Sequence, residues 1–123
     1  MLTGIHVGRS VVEVCTIKNG SPSEELRELY RVTNCDCIDI AVRYVKGRPF
    51  DFVCDDEGLF KEKQFVSVLS KTHGVDIVGD VFICSHKGAD LVSLTEDEIK
   101  FIKESVLPIW CGTQLTGQVV ITD

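Results

Sequence analysis

Cys84 and His86 stand two residues apart at the end of an apolar run, in "VGDVFICSHKGADLVSLTEDEIKFI" (78–102). Residues i and i+2 share a face of an extended segment. An imidazole at that distance could draw the proton from the thiol and leave a nucleophilic thiolate. Such a centre also needs an oxyanion site and a group that orients the imidazole, and neither is legible nearby. A core cysteine followed by an exposed loop histidine explains the same residues. On this reading the Gly-containing loop connects a strand to a helix, and no catalytic residue is assigned.

Asp55, Asp56 and Glu57 form the densest acidic run. Clustered carboxylates can hold a divalent cation, but three consecutive side chains cannot converge on one ion, and the alternating spacing of a calcium loop is missing. A solvated turn is the simpler account. His73 lies close in sequence to Asp76 and Asp80, a spacing that allows a carboxylate–imidazole pair. His6 falls in an N-terminal segment expected to be mobile. "VGRS" (7–10) is too short and too poor in glycine to cradle a phosphate.

The six cysteines, at 15, 35, 37, 54, 84 and 111, include no CxxC and no histidine at zinc-finger spacing. They read as reduced thiols, with Cys35 and Cys37 the one pair spaced for redox or metal chemistry. No metal and no cofactor is expected.

Charge narrows the partners. The net charge is −6, and it is uneven: residues 1–49 hold seven Lys/Arg against six Asp/Glu, residues 50–123 six against thirteen. Binding nucleic acid through its phosphates needs a basic surface, so direct nucleic-acid binding is not expected. Arg43, Lys46 and Arg48 are the one local basic group, around a turn. No segment has the roughly 20 apolar residues of a membrane span, and "MLTGIHVGRSVVEV" lacks the pattern of a secretion signal. The expected location is the cytoplasm.

The elements that must position these residues follow from period and caps. "RSVVEVCTI" (9–17) reads as the first strand. Ser21, Pro22 and Glu24 open a helix as N-cap, first helical residue and capping-box acid, with Leu26, Leu29 and Tyr30 on one face. In 35–45, Ile38, Ile40, Val42 and Tyr44 alternate with Asp39, Ala41 and Arg43. "KGRP" then turns into "FDFVCD", giving an antiparallel hairpin. Phe60, Gln64 and Val68, or Phe65, Val66 and Leu69, fit a short helix that the valines oppose. Residues 75–84 read as one strand whose interior Gly79 suggests a bulge or a close backbone approach. Thr95 and Glu98 cap a helix carrying Ile99, Ile102 and Val106 inward and ending at Pro108. "TGQVVITD" adds a final edge strand. The sum is one α+β domain over 1–123: a mainly antiparallel sheet of four to five strands with two to three helices packed on it.

The stretch "DIVGDVFICSHKGADLVSLTEDEIKFI" resembles the end of a family of small proteins from phages, plasmids and integrated elements, catalogued as a domain of unknown function, number 3846. The family pattern is a strand with an embedded glycine (Val78–Cys84), a polar loop (Ser85–Asp90) and a helix start (Ser93–Glu98). "PFDFVCDDEGLF" matches its hairpin and acidic turn, and Glu25–Val32 its first helix. Residues 9–105 would form the shared core. Gln64-Phe65 stands where the family often has Asn-Arg, and 108–123 reads as an extension.

The resemblance implies an accessory protein of a mobile element, acting in a bacterial host cell. With no catalytic constellation, the expected function is non-enzymatic inhibition of a host defence protein, a CRISPR effector or restriction enzyme, by direct binding. Asp55, Asp56, Glu57, Asp90, Glu96 and Asp97 would face a basic surface, with Trp110 as an aromatic anchor. A free sheet edge could instead pair two copies into a homodimer. Two alternatives stand beside this: capture of a small nucleotide signal by Arg43, Arg48 and His86, and a hydrolase using Cys84 and His86 or the acidic turn.

Overall fold

A computed structural model describes residues 1–58, 61 and 65–123. The described elements run β1 (Leu2–Val7), β2 (Val12–Ile17), α1 (Pro22–Thr33), β3 (Ile38–Val45), β4 (Arg48–Asp55), β5 (Val66–Ser70), β6 (Gly74–Val78), β7 (Val81–Lys87), β8 (Asp90–Val92), α2 (Glu96–Lys103), β9 (Val106–Cys111) and β10 (Gln114–Thr122). They make two sheets rather than the single sheet expected. The larger has the order β2-β1-β7-β4-β3 with β8 added on β7, and the smaller β6-β5-β10-β9. All the pairings are antiparallel except β10 with β5.

Alternation along β4 and β7 builds two cores, because successive side chains leave a strand on opposite faces. Phe50, Phe52, Val81 and Ile83 point into the space between the sheets, where they meet Val68, Ile77 and Val120, with Ile102 of α2 in the same cluster. Val53, Phe82 and Cys84 point the other way, onto Leu29 and Val32 of α1. The larger sheet is thus covered by α1 on one face and by the smaller sheet on the other.

Local signals set both helices. Ser21 Oγ accepts from the Glu24 N–H at 3.2 Å, but the Glu24 carboxylate takes the Gly20 N–H at 2.8 Å, one residue short of a closed capping box. Leu29, Val32 and Thr33 form the buried face, and Leu26 is left exposed. In α2 the box closes: the Thr95 side chain accepts from Glu98 N–H, and Glu98 accepts from Thr95 N–H.

Several expectations are corrected. The N-terminal segment is not mobile coil. It is β1, buried at Leu2, Ile5 and Val7 and paired on both sides. Gly4 permits this, since a Cβ there would lie 2.3 Å from the Ile83 carbonyl oxygen. Residues 75–84 are two strands in different sheets. Gly79, at φ +86°, is the corner between them, in the left-handed region that favours glycine. The Ser85–Asp90 loop is the β7–β8 hairpin, with Lys87 opposite Asp90. Of the ambiguous stretch, Phe60 and Gln64 lie outside the described residues, and Val66–Ser70 is strand.

The last helix ends at Lys103, and Pro108 lies within β9. The tail is no appended edge. β10 sits inside the smaller sheet with Val119 and Val120 buried. Its pairing with β5 closes late in sequence, and no local pattern announces so distant a partner.

Candidate binding surface

The cysteine–histidine pair is built, but not as a nucleophile. Cys84 is fully buried under α1, and its thiol is pushed up to about 12, by burial first, then by Asp51 and Glu25. It therefore stays protonated at neutral pH. His86 turns away from it: Nδ1–H donates to Asp51 Oδ2 at 2.7 Å. Asp51 is itself 3% exposed and lies opposite Cys84 in the β4–β7 register. No hydroxyl or thiol among the described residues hydrogen-bonds the other ring nitrogen. The geometry holds a half-exposed imidazole against a buried carboxylate and supplies no attacking group. Asp51 was missed in the sequence because its partner is 35 residues away.

The other titratable clusters are structural ties. His6 bridges two carboxylates, Asp80 Oδ1 at 2.8 Å from Nε2 and Glu13 Oε1 at 3.4 Å from Nδ1. The Asp80 hydrogen bond, against some opposing desolvation, raises its pKa above the usual histidine value. His73 bonds Thr72, not Asp76. Asp76 instead binds Arg43 through two hydrogen bonds of 2.7 and 3.2 Å, pinning β3 to β6. All six cysteines are free thiols. Cys35 lies 3.1 Å from Thr33 Oγ1, and Cys37 donates weakly to Asp56 at 3.8 Å. Among the described residues no three His, Cys, Asp or Glu side chains are grouped to hold a metal ion.

The acids expected to form one contact face are spread out. Asp55 ends β4 with its side chain 6% exposed, paired with Lys61 and accepting from the Glu57 N–H. Asp97 stands at the other end of that strand, 3.6 Å from Arg48. Seven strand steps at about 3.3 Å put the two ends roughly 23 Å apart. Glu96 neighbours Asp97 at the start of α2, Asp56 and Glu57 are exposed beside Asp55, and Asp90 opens β8. Trp110 is 58% exposed on β9. Arg43, Arg48 and His86 do not converge either. Arg48 packs over Phe101, 4.5 Å from its ring centre, while His86 lies on the opposite face with Asp51.

What the fold does leave open is the α1 side of β3. Ile38, Ile40, Val42 and Tyr44 share that face, as their alternation requires, but α1 lies mainly over β7 and β4, and of the four it is Ile38 that packs on the α1 cluster. Ile40, Val42 and Tyr44 are 45, 43 and 53% exposed. Between this row and α1 runs a groove of about 590 Å³, lined by Leu26 and Leu29, Ile38 and Ile40, and the β7–β8 turn. Glu25 and Asp90 are its charged lining residues; among the described residues no Lys or Arg lines it. A second hollow of about 490 Å³ opens on the other side of the strand, between Val42, Tyr44 and His73.

β3 is an edge strand, and its edge is guarded. Ile40 N–H donates to Asp39 Oδ1 at 3.0 Å, Val42 O accepts from Arg43 Nη1 at 3.0 Å, and Tyr44 O accepts from Asp123 N–H at 2.9 Å. These partners obstruct strand addition, so a partner must use the side-chain face.

Fold and surface together define a two-sheet α+β domain with an uncovered apolar row beside an acidic groove. The chain belongs to DUF3846, a domain of unknown function, whose family model matches residues 5–107. The match stops inside β9 and leaves β10 out, although β10 is central to the smaller sheet. No curated protein and no solved structure matches the chain. No helix among the described residues is long and apolar enough to cross a membrane.

Proposed function

We propose that this protein acts by binding another protein, and that in a mobile-element setting the partner is a host defence protein which it inhibits. The observation that carries the reading is the exposed row Ile40, Val42 and Tyr44 beside the groove walled by Glu25 and Asp90. Exposed apolar side chains in a row mark interaction sites more often than scattered ones do. The acids bias the occupant toward a segment with apolar side chains flanked by Lys or Arg. Such segments are common on proteins that grip nucleic acid. The buried, protonated Cys84 thiol supports binding over nucleophilic catalysis.

The groove also has the volume of a small-ligand site, but Arg43, Arg48 and His86 are not among its lining residues, and no described residue there offers a cation to a phosphate.

The test is phage plating on hosts that each carry one defined restriction or CRISPR system, with and without the protein. The expectation is relief of at least one system by tenfold or more, lost in Ile40→Asp and Val42→Asp and kept in Glu96→Lys. Relief by both β3 variants at the level of the unaltered chain would remove this surface from the account. Relief of no system would remove the anti-defence role.

A further inference from the structure

The larger sheet ends in β3 on one side and in β2 on the other. The edge of β3 is guarded; that of β2 is open. The Gly8 N–H donates to Val11 O at 2.8 Å and closes the β1–β2 turn. Bonded and non-bonded pairs alternate along an antiparallel ladder, so in this register Glu13, Cys15 and Ile17 bond to β1. The N–H and C=O groups of Val12, Val14 and Thr16 therefore point away from it. Lys18 shares their direction, and its N–H is taken by Glu28 Oε1 at 3.4 Å. Among the described residues no group bonds the outward backbone of the other three. The strand, "VEVCTI", has no proline or lysine to deter pairing. Val14 is 46% exposed on it.

We infer that β2 pairs antiparallel with β2 of a second copy of the chain, joining the two larger sheets into one. The edge complements itself. A two-fold axis at Val14 sets Val14 against Val14 and Val12 against Thr16, each pair exchanging two hydrogen bonds. These β-branched side chains meet on one face of the joined sheet. On the α1 face, Glu13 of each copy stands opposite Cys15 of the other, so the strand's one charge avoids its own counterpart. Arg31 waits there for it. The Cys15 thiol is pushed up by burial first and drawn down by the Arg31 guanidinium. Glu28, bonded to Arg31 at 2.7 Å, also reaches Lys18.

Charge favours a second copy at this edge. The chain carries −6, but residues 9–18 hold Arg9 and Lys18 against Glu13, a local balance of +1. Two copies that repel through most of their surfaces approach here without that repulsion. There is also room. α1 lies mainly over β7 and β4, and on the other face a hollow of about 340 Å³ opens between Val12 and Val106, Pro108 and Gln118. β3 stays free at the far end of the sheet, so the inference is independent of the proposed function. Three pairs make roughly six hydrogen bonds and add no new core. The contact is small beside the roughly 800 Å² per partner of a standard interface, and the dimer exchanges with monomer.

Sedimentation velocity on the full chain, over a hundredfold concentration range reaching about 0.5 mM, tests this. The expected result is a concentration-dependent shift from monomer to dimer. Val14→Pro removes an outward N–H and no bond to β1, a place where an edge strand tolerates proline; it should weaken the dimer at least tenfold. Glu13→Lys, which sets a cation beside Arg31 of the other copy, should weaken it severalfold, while Val42→Asp on β3 leaves it unchanged. Far-UV circular dichroism and a thermal melt establish that each variant is folded, and two substitutions of different kind guard against loss of either one. A monomer at every concentration overturns the inference. So does self-association that Val14→Pro and Glu13→Lys both leave intact.

Discussion

Exposed apolar side chains stand in two regions, the β3 row on the larger sheet and the outer strands of the smaller one, and the two differ in what lies beside them. Ile40, Val42 and Tyr44 sit by a groove walled by Glu25 and Asp90, on a strand whose edge is closed by Asp39, Arg43 and the chain's last residue. Val75, Leu107 and Ile109 lie on the two outer strands of the smaller sheet, and between those strands Val119, the register partner of Leu107, is 1% exposed. Exposure alone marks both as places of contact. In the proposed reading, the acidic surround of the β3 row favours a basic partner.

The largest expected effect contrasts covered with uncovered residues. Phe82 is fully buried between β7 and α1, so Phe82→Ala should cost about 3–5 kcal/mol in urea unfolding. Val42→Asp and Leu107→Lys should each stay within about 0.5 kcal/mol of the unaltered chain. A large loss from either surface variant would mean that its patch is packing, not contact.

Salt tests the acidic surround. Screening weakens attraction between the acidic groove and a basic partner. Between 0.05 and 0.5 M NaCl, partner affinity should therefore fall severalfold. Affinity that holds or rises with salt would contradict the charge argument.

A smaller effect lies in the hairpin that carries neither surface. The pKa of His6 is raised in the folded state, so its tie to Asp80 and Glu13 stabilises fully below the unfolded value of about 6.5 and fades as pH rises through the folded value. The stability difference between the unaltered chain and His6→Gln should shrink from pH 6 to pH 8.5, read by urea titration. A difference that grows with pH would contradict the assigned pairing.

Legibility in the sequence tracked the range of the interactions. Both helix starts were readable, since Ser21, Glu24, Thr95 and Glu98 make their hydrogen bonds within four residues. The β3–β4 hairpin was readable too, because its turn residues are adjacent and its alternation is unbroken. The second sheet was not. Its parallel β5–β10 pair joins residues more than 50 positions apart, and the strand that continues past Gly79 in composition changes sheet there. The site divided along the same line. Period two put Ile38, Ile40, Val42 and Tyr44 on one face, yet only the placement of α1 shows that Ile38 is covered and Ile40, Val42 and Tyr44 are bare. The acids looked like one cluster because they are dense in the second half of the chain, but an eight-residue strand separates Asp55 from Asp97.

The central claim is that the β3 face binds a foreign protein. It is tested most directly by calorimetric titration of the defence protein relieved in the plating assay with the unaltered chain, Val42→Asp and Leu107→Lys. Burying one such side chain contributes about 1.5–3 kcal/mol, and each 1.4 kcal/mol is a tenfold change. The account predicts affinity at least tenfold weaker for Val42→Asp and unchanged for Leu107→Lys. Unchanged binding by Val42→Asp, or a loss confined to Leu107→Lys, would contradict it.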